Sequence, residues 1–123
     1  MNSKFFLALA AGAVFAASSL AQAADVEAGK TIFTKCKACH SDKAGENKVG
    51  PSLFGVVGRP SASVAGFKYS DALTNVKVTW DAGNLDKWLT KPQEFAKGTK
   101  MVFPGLPNQA DRDNVIAYLS TLK

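Results

Sequence analysis

The chain has 123 residues, 46% of them hydrophobic, and a formal net charge of +5 at neutral pH. This length favours a single domain. A mildly basic domain can suit nucleic acid, an anionic lipid surface or an acidic protein. Beyond the N-terminal segment no apolar stretch suggests a membrane span. The N-terminal segment itself indicates export, and export argues against a nucleic-acid partner.

Residues 1–23 have the order of a secretory signal peptide. A short positive start is followed by apolar residues 5–17 and by the small-x-small sequence Ala21-Gln22-Ala23. A retained membrane anchor is the alternative, but residues 5–17 are fewer than the roughly 20 apolar residues of a spanning helix. We therefore predict cleavage after residue 23 or 24, and a periplasmic mature domain of residues 24–123. Its formal charge is +4, because the leader contains one lysine and no acidic residue.

The first predicted helix begins after Asp25, whose carboxylate can cap it, and runs to about Cys36. Gly29 shares one face of this helix with Phe33 and Cys36. A glycine on that face is costly and indicates the close approach of another element. Residues 42–66 are rich in Gly, Ser and Pro and show no sustained period. A loop of this length is unusual unless it wraps around something.

Capping residues predict the next two helices. Ser70 can cap a short helix over residues 71–75, and Asp81 can cap a longer one. Pro92 ends that longer helix or opens the next turn. The apolar face of the longer helix consists of Leu85, Trp88 and Leu89.

A brief turn over residues 94–97 is predicted to stop at Gly98. Asn108 with Asp111 resembles a capping box and opens the last helix. The shared face of that helix consists of Val115, Tyr118, Leu119 and Leu122. No stretch alternates as a strand does, so the predicted fold class is all-α, with three main helices, short helices and long loops.

Cys36-Lys37-Ala38-Cys39-His40 is the strongest chemical signal in the sequence. Two thiols at this spacing add to the two vinyl groups of haem in c-type cytochromes, and the adjacent histidine supplies an axial nitrogen to the iron. A thioredoxin-type redox pair would need a βαβ unit, which the sequence does not predict. A zinc site would need four good ligands, and the chain has two cysteines and one histidine. The motif therefore predicts one covalently bound haem c.

Met101 is the only methionine left once the leader is removed. A lone methionine is usually core filler. This one follows the helix stop at Gly98 and precedes Phe103-Pro104-Gly105, so it lies on an irregular loop, and loops present functional side chains more often than core filler. A thioether suits haem iron and favours its reduced state. Met101 is therefore the predicted second axial ligand.

With these residues in place, the sequence closely resembles the class I c-type cytochromes, the family of mitochondrial cytochrome c and its bacterial relatives. The matching blocks are Gly29, Phe33, the Cys36-to-His40 motif, Val49-Gly50-Pro51, Gly58-Arg59, Gly66-Phe67-Lys68-Tyr69-Ser70-Asp71-Ala72, Thr79-Trp80, Lys97-Gly98-Thr99-Lys100-Met101 and Ile116-Ala117-Tyr118-Leu119. They cover nearly the whole mature chain. The resemblance implies the cytochrome c fold, wrapped around one haem, and an electron carrier rather than an enzyme, with His40 and Met101 on the iron.

The resemblance also implies roles for residues around the haem. The Pro51 carbonyl would accept a hydrogen bond from the free N–H of His40, which fixes the ring and raises its basicity. Arg59, Tyr69 and Trp80 would surround the haem propionates and stabilise these carboxylates with N–H and O–H donors.

Two residues depart from the pattern of the family. Trp88 stands where a tyrosine usually packs near the methionine sulfur, and we expect Trp88 to contact the cofactor. An indole offers an N–H donor but no acceptor, so the hydrogen-bond pattern beside Met101 is expected to differ from that of the family. Leu73 stands where an asparagine often helps to hold a buried water, which predicts a drier network.

The expected function is one-electron transfer between proteins through Fe(III)/Fe(II) haem. A haem enzyme or gas sensor with an open sixth position is one alternative, and a tethered cytochrome subunit of a larger oxidase or dehydrogenase is another. The expected partners are acidic redox proteins, namely membrane cytochrome complexes, oxidases or periplasmic dehydrogenases, and the domain is expected to be a monomer. The resemblance also implies that the haem edge is exposed near the Cys36 motif and the Met101 loop, and lysines in or near those segments would steer these partners. They are Lys35, Lys37, Lys43, Lys48, Lys91, Lys97 and Lys100.

Overall fold

Five helices joined by loops make up residues 24–123, the part of the chain that this computed structural model describes. They are α1 (Val26–Phe33), α2 (Asp71–Val76), α3 (Ala82–Thr90), α4 (Pro92–Phe95) and α5 (Gln109–Ser120). Across these residues there is no strand, only an isolated β-bridge between Pro60 and Thr79. None of the helices found here is long and apolar enough to cross a membrane. The all-α prediction is confirmed, whereas the predicted signal peptide lies outside the described residues.

Helix α1 is shorter than the sequence pattern predicts. Asp25 caps it as expected, because its carboxylate accepts hydrogen bonds from the backbone N–H groups of Glu27 (2.9 Å) and Ala28 (3.1 Å). The helix ends at Phe33 and not near Cys36. Beyond Phe33 the backbone tightens, and the Cys36 N–H donates to the carbonyl three residues back, at 2.8 Å. The Cys-x-x-Cys segment therefore lies in a series of tight turns.

Helices α1 and α5 cross in close contact, as the position of Gly29 predicts. A Cβ at Gly29 would collide with the backbone carbonyl of Asn114, so a glycine is needed at the crossing point. Phe33 is fully buried, and its ring centroid lies 5.2 Å from that of Tyr118. The backbone N–H of Asp25 donates to the side-chain oxygen of Asn114 at 2.8 Å. These contacts join the two ends of the domain.

The predicted caps of the other helices are present. Ser70, Asp81 and Asn108 each accept a hydrogen bond from a backbone N–H in the first turn that follows, at 3.2, 2.7 and 2.8 Å. These bonds satisfy N–H groups that have no partner inside the helix. Pro92 opens α4, one of the two roles that the sequence allows for it, because proline lacks an N–H and its fixed φ suits the first helical position. The turn predicted over residues 94–97 is therefore found earlier, at Pro92–Phe95.

The inner face of α3 contributes an aromatic cluster to the core. Leu85, Trp88 and Leu89 are all buried, as the sequence predicts. The Trp88 ring centroid lies 5.6 Å from that of Trp80 and 6.0 Å from that of Phe95. Aromatic pairs at such tilted or edge-on geometries stabilise a core beyond the area that they bury. The cluster fixes two of the residues implicated in haem binding, Trp80 and Trp88.

A side-chain hydrogen bond connects α5 to the loop that follows His40. The Tyr118 hydroxyl donates to the Asp42 carboxylate at 2.9 Å. Burial of Tyr118, together with this bond and the Asp42 charge, raises its pKa to about 12. Because the pKa of Tyr118 is higher in the folded state than in the unfolded chain, its hydroxyl stabilises the folded state. This contribution is complete when the pH is below the ordinary pKa of 10.0, and it is lost as the pH rises through about 12.

We expect Tyr118→Phe to lower the free energy of unfolding by about 1.5 kcal/mol near neutral pH, the lower end for a bond to a charged group, because Asp42 is only half-buried. Urea unfolding at a series of pH values measures this. The difference from wild type should shrink above pH 10, and a constant difference up to pH 11.5 would contradict the assignment. Asp42→Asn keeps an acceptor and should cost less.

Candidate haem site

The Cys-x-x-Cys-His segment is one tight turn of backbone. The N–H groups of Cys39 and His40 both donate to the Cys36 carbonyl, at 3.1 and 2.8 Å. Cys36 is half-buried and Cys39 is exposed, and the two thiols form no disulfide. The turn therefore presents two thiols, three positions apart, and an imidazole directly after the second thiol, as attachment of haem through its two vinyl groups requires.

The chemistry of this turn does not match the two alternative readings of the motif. Burial raises the pKa of the Cys36 thiol to about 11, although the nearby Lys35 charge acts in the opposite direction. A thioredoxin-type thiol is instead reactive because its pKa is depressed. The zinc alternative has no ligand set, because the described part of the chain contains no group of three or more His, Cys, Asp or Glu able to hold a metal ion.

His40 is buried and held in one orientation. Its Nδ1 lies 2.7 Å from the Pro51 carbonyl oxygen, so Nδ1–H is the donor and Nε2 keeps its lone pair. Burial is the main reason that the pKa of His40 lies below its ordinary value; the Pro51 bond opposes that shift and the Arg59 charge adds to it. A neutral imidazole with a free Nε2 is the form that binds a metal.

Gly50 is a site residue for which the sequence pattern predicts no individual role. A Cβ at this position would collide with the His40 imidazole, so the backbone of Gly50 packs directly against the ring. The Gly50 N–H also donates to the Cys39 carbonyl at 2.7 Å. Together with Pro51, Gly50 confines the imidazole on one side. The feature of the sequence that could have indicated this role is a glycine directly before Pro51, the proline implicated in holding His40.

Arg59 has a buried hydrogen-bond donor that is suited to an anionic partner. Its Nη1 and Nη2 donate to the backbone carbonyls of Phe54 (3.1 Å) and Ser52 (3.2 Å), while its buried Nε has no hydrogen-bond partner within the protein. A buried donor on a cation is costly unless something accepts from it. A haem propionate is a suitable acceptor, so the residues present fit the group that the motif predicts.

The structure brings Arg59 and Trp80 together through the backbone. The Trp80 N–H donates to the Arg59 carbonyl at 2.9 Å, and the indole is buried. Tyr69 is half-buried, and its phenol oxygen accepts from the Val64 N–H at 3.0 Å, which leaves the hydroxyl proton free to donate. Burial lowers the pKa of Arg59, and Tyr69 is close enough to oppose that shift. Arg59 therefore lies near both Tyr69 and Trp80, the other two residues implicated at the propionates.

Met101 lies on a loop, as predicted, and packs half-buried against the core cluster that contains Trp80 and Trp88. Its neighbour Val102 is fully exposed. The Gln93 side-chain amide donates to the Thr99 carbonyl at 3.0 Å and to the Met101 carbonyl at 3.3 Å. Sequence reasoning assigned no role to Gln93, because nothing in the sequence indicates that its amide crosses this loop.

Comparison with known proteins gives a consistent result. The family model for cytochrome c matches residues 26–123. The chain is 52% identical to cytochrome c2 of Rhodoblastus acidophilus over 102 residues, which is 82% of this chain and 95% of that one. It is also 52% identical over 100 residues to cytochrome c2 iso-2 of Magnetospirillum molischianum, covering 81% of this chain and 100% of the relative.

Among solved structures, cytochrome cH from Methylobacterium extorquens superposes with a TM-score of 0.74 at 45% identity. The match covers 79% of this chain and 98% of that structure. The family match over residues 26–123 contains every site residue discussed above. The chain belongs to the cytochrome c family, and as a member it carries covalently bound haem c and transfers electrons rather than transforming a substrate.

Proposed function

We propose that this protein is a soluble, periplasmic, monomeric one-electron carrier whose iron is ligated by His40 and Met101. The observation that carries the proposal is the fixed imidazole of His40, which is buried, bonded through Nδ1 to Pro51 at 2.7 Å and left with a free Nε2. Haem, when bound, supplies the Fe(III)/Fe(II) couple.

The residues of the chain divide the remaining tasks between them. Cys36 and Cys39 hold the cofactor covalently. The Nε of Arg59, which has no partner within the protein, would donate to a haem propionate, and Tyr69 and Trp80 would donate beside it. A buried cation next to a carboxylate favours the charged form of that carboxylate in a partly dry site. These groups are held by their own backbone contacts and need little rearrangement when an electron arrives or leaves.

Met101 distinguishes a carrier from a haem enzyme or gas sensor. A thioether in the sixth position leaves no open site for a substrate or gas, and it favours the reduced state relative to a second imidazole. The absorption spectrum of the ferric protein tests this. We expect a Met–Fe charge-transfer band, whereas a high-spin spectrum would indicate an open site and overturn the ligation.

Two further measurements test the attachment and the location. Acid–acetone extraction should leave the haem on the wild-type polypeptide, and haem released into the solvent would contradict attachment through Cys36 and Cys39. Mass spectrometry of the protein from native periplasm should give an N-terminus at residue 24 or 25. A retained leader would show that the cytochrome is tethered.

The proposed partners are acidic redox proteins, which would be steered by lysines around the Cys36-to-His40 turn and the Met101 loop. Lys48 lies beside that turn, because its Nζ donates to the Lys37 carbonyl at 2.7 Å. Lys91 is already paired with Glu94 at 3.0 Å, so its charge is partly offset. Exposed charges concentrated on one face raise encounter rates at low salt without making the complex tight.

We expect Lys37→Glu and Lys100→Glu to slow oxidation of the reduced protein by ferricyanide, an anionic probe, by up to about tenfold at 0.01 M salt. The wild-type rate itself should fall as salt rises, because the Debye length shrinks from roughly 30 Å at 0.01 M to about 8 Å at 0.15 M. Lys123→Glu makes the same change of charge at the chain end and is the matched control. Equal effects of all three variants, or rates independent of salt, would leave the docking face unassigned.

A further inference from the structure

Arg112 is a buried cation that the haem site does not use. It lies on α5 with only 8% of its surface exposed. Its Nε donates to the Asp86 carboxylate at 2.8 Å, its Nη2 to the Gln109 side-chain oxygen at 2.7 Å and its Nη1 to the Leu106 carbonyl at 2.7 Å. The guanidinium therefore connects α5 to α3 and to the loop that carries Met101.

The Leu106 end of that loop is held through both of its backbone groups. The Leu106 carbonyl accepts from Arg112, and its N–H donates to the Leu89 carbonyl at 2.7 Å. Its side chain is buried as well. At Gly105, φ is +108°, and a Cβ would collide with the Thr90 carbonyl at the end of α3. The chain is therefore fixed against α3 and α5 a few residues after Met101.

The other end of the loop is fixed at Thr99. The Thr99 N–H donates to the Ala96 carbonyl at 2.9 Å, and its carbonyl accepts from the Gln93 amide at 3.0 Å. Between the two fixed ends, Met101 and Phe103 are half-buried against the core, whereas Val102 is fully exposed. A short segment of this kind opens more easily when its ends are released. The anchors at Thr99 and Leu106 therefore limit how far Met101 can move, together with the Gln93 bond to the Met101 carbonyl.

We propose that Arg112, together with Asp86, positions the Met101 loop and so determines how readily an external ligand displaces Met101. This inference rests on the proposed function, in which Met101 is an axial ligand. Arg112 acts only through the loop and is a positioning residue.

The planar fork of Arg112 explains why this residue suits the task. Three of its nitrogens point at three partners on different parts of the fold. A lysine would bring the same charge but no fixed fork, so it would not hold the same three partners in one geometry. Asp86 is half-buried and pairs with the guanidinium at 2.8 Å, so it fixes the direction in which Nη1 points at Leu106.

The test compares three conservative variants of the ferric holoprotein. Asp86→Asn and Arg112→Lys weaken the anchor, while Asp113→Asn removes the same charge as Asp86→Asn from a carboxylate that accepts from Gln109 and forms no ion pair with the Arg112 guanidinium. The rate of imidazole binding is measured at saturating imidazole, where opening of the loop limits it. Urea unfolding followed by circular dichroism is measured beside it.

We expect Asp86→Asn and Arg112→Lys to bind imidazole about tenfold faster, as weakening a charge-assisted hydrogen bond implies, and Asp113→Asn to stay within about twofold of wild type. Lower global stability with an unchanged imidazole rate would overturn the inference and leave Arg112 with a purely structural role. If the wild-type protein lacks the Met–Fe band, the ligation itself is wrong and the inference falls with it. A wild-type band with equal rates in all variants overturns the inference alone.

Discussion

Met101→Ala should convert the ferric protein to a form that binds imidazole or cyanide between about 10- and 1,000-fold more tightly. With Met101 on the iron, an external ligand binds only the minor open state, and such states are commonly populated at ~0.1–10%. Removing the thioether makes the open state the only one. The same substitution should lower the midpoint potential, because methionine ligation favours the reduced iron.

Spectral titration with each ligand, together with redox titration, measures both effects. Val102→Ala is the matched control, because Val102 is the next residue of the same loop and its side chain is fully exposed. It should leave the affinity and the potential near wild type. An unchanged spectrum and potential in Met101→Ala would remove this residue from the iron site.

Two glycine-to-alanine substitutions, both within helices, should have opposite effects on stability. Gly29→Ala places a Cβ against the Asn114 backbone carbonyl, which belongs to α5 and cannot swing aside. We expect a loss of about 3 kcal/mol in the free energy of unfolding, the upper end of the usual cost of overpacking. Gly83→Ala meets nothing nearer than the Asp81 carboxylate oxygen at 3.6 Å, so it should gain about 0.5 kcal/mol from helix propensity.

Urea unfolding of the two variants beside wild type measures this difference directly. Both substitutions add one methyl group to a helix, so the sign of the effect reports the space available and not the chemistry of alanine. If both variants were stabilised, α1 and α5 would have to be further apart than the structure shows.

The sequence was sufficient to predict features that depend on neighbouring residues. Ser70, Asp81 and Asn108 cap helices because each side chain reaches a backbone N–H in the next turn, and such patterns are visible in one dimension. The end of α1 was less predictable. Cys36 continues the apolar period, but the backbone has already tightened at Phe33, and periodicity does not register that change.

The residues of the candidate site also divide into those that the sequence reveals and those that only the structure reveals. The thiols and the imidazole of the Cys36-to-His40 turn are visible as a motif. Gly50, Gln93 and Arg112 were assigned no role, because each acts through a contact that only the folded chain creates. Gly50 packs against the imidazole ring, the Gln93 amide bonds across the Met101 loop, and Arg112 holds a backbone carbonyl at the end of that loop. Residue type alone gives no sign of such contacts, since glutamine and arginine are mostly exposed in folded proteins and glycine occurs in many buried and exposed settings.

The crossing of α1 and α5 has a consequence for the order in which the protein matures. Asp25 and Gly29 both meet Asn114, so the first helix of residues 24–123 packs against the last. A chain still on the ribosome lacks α5, and α1 then has no surface on which to bury Phe33. Domains commonly begin to fold as soon as their partner segments have emerged. Here that moment comes only when synthesis is nearly complete. Under the proposed export to the periplasm, the precursor would therefore still be unfolded when it is threaded through a translocation channel, before the cofactor is attached.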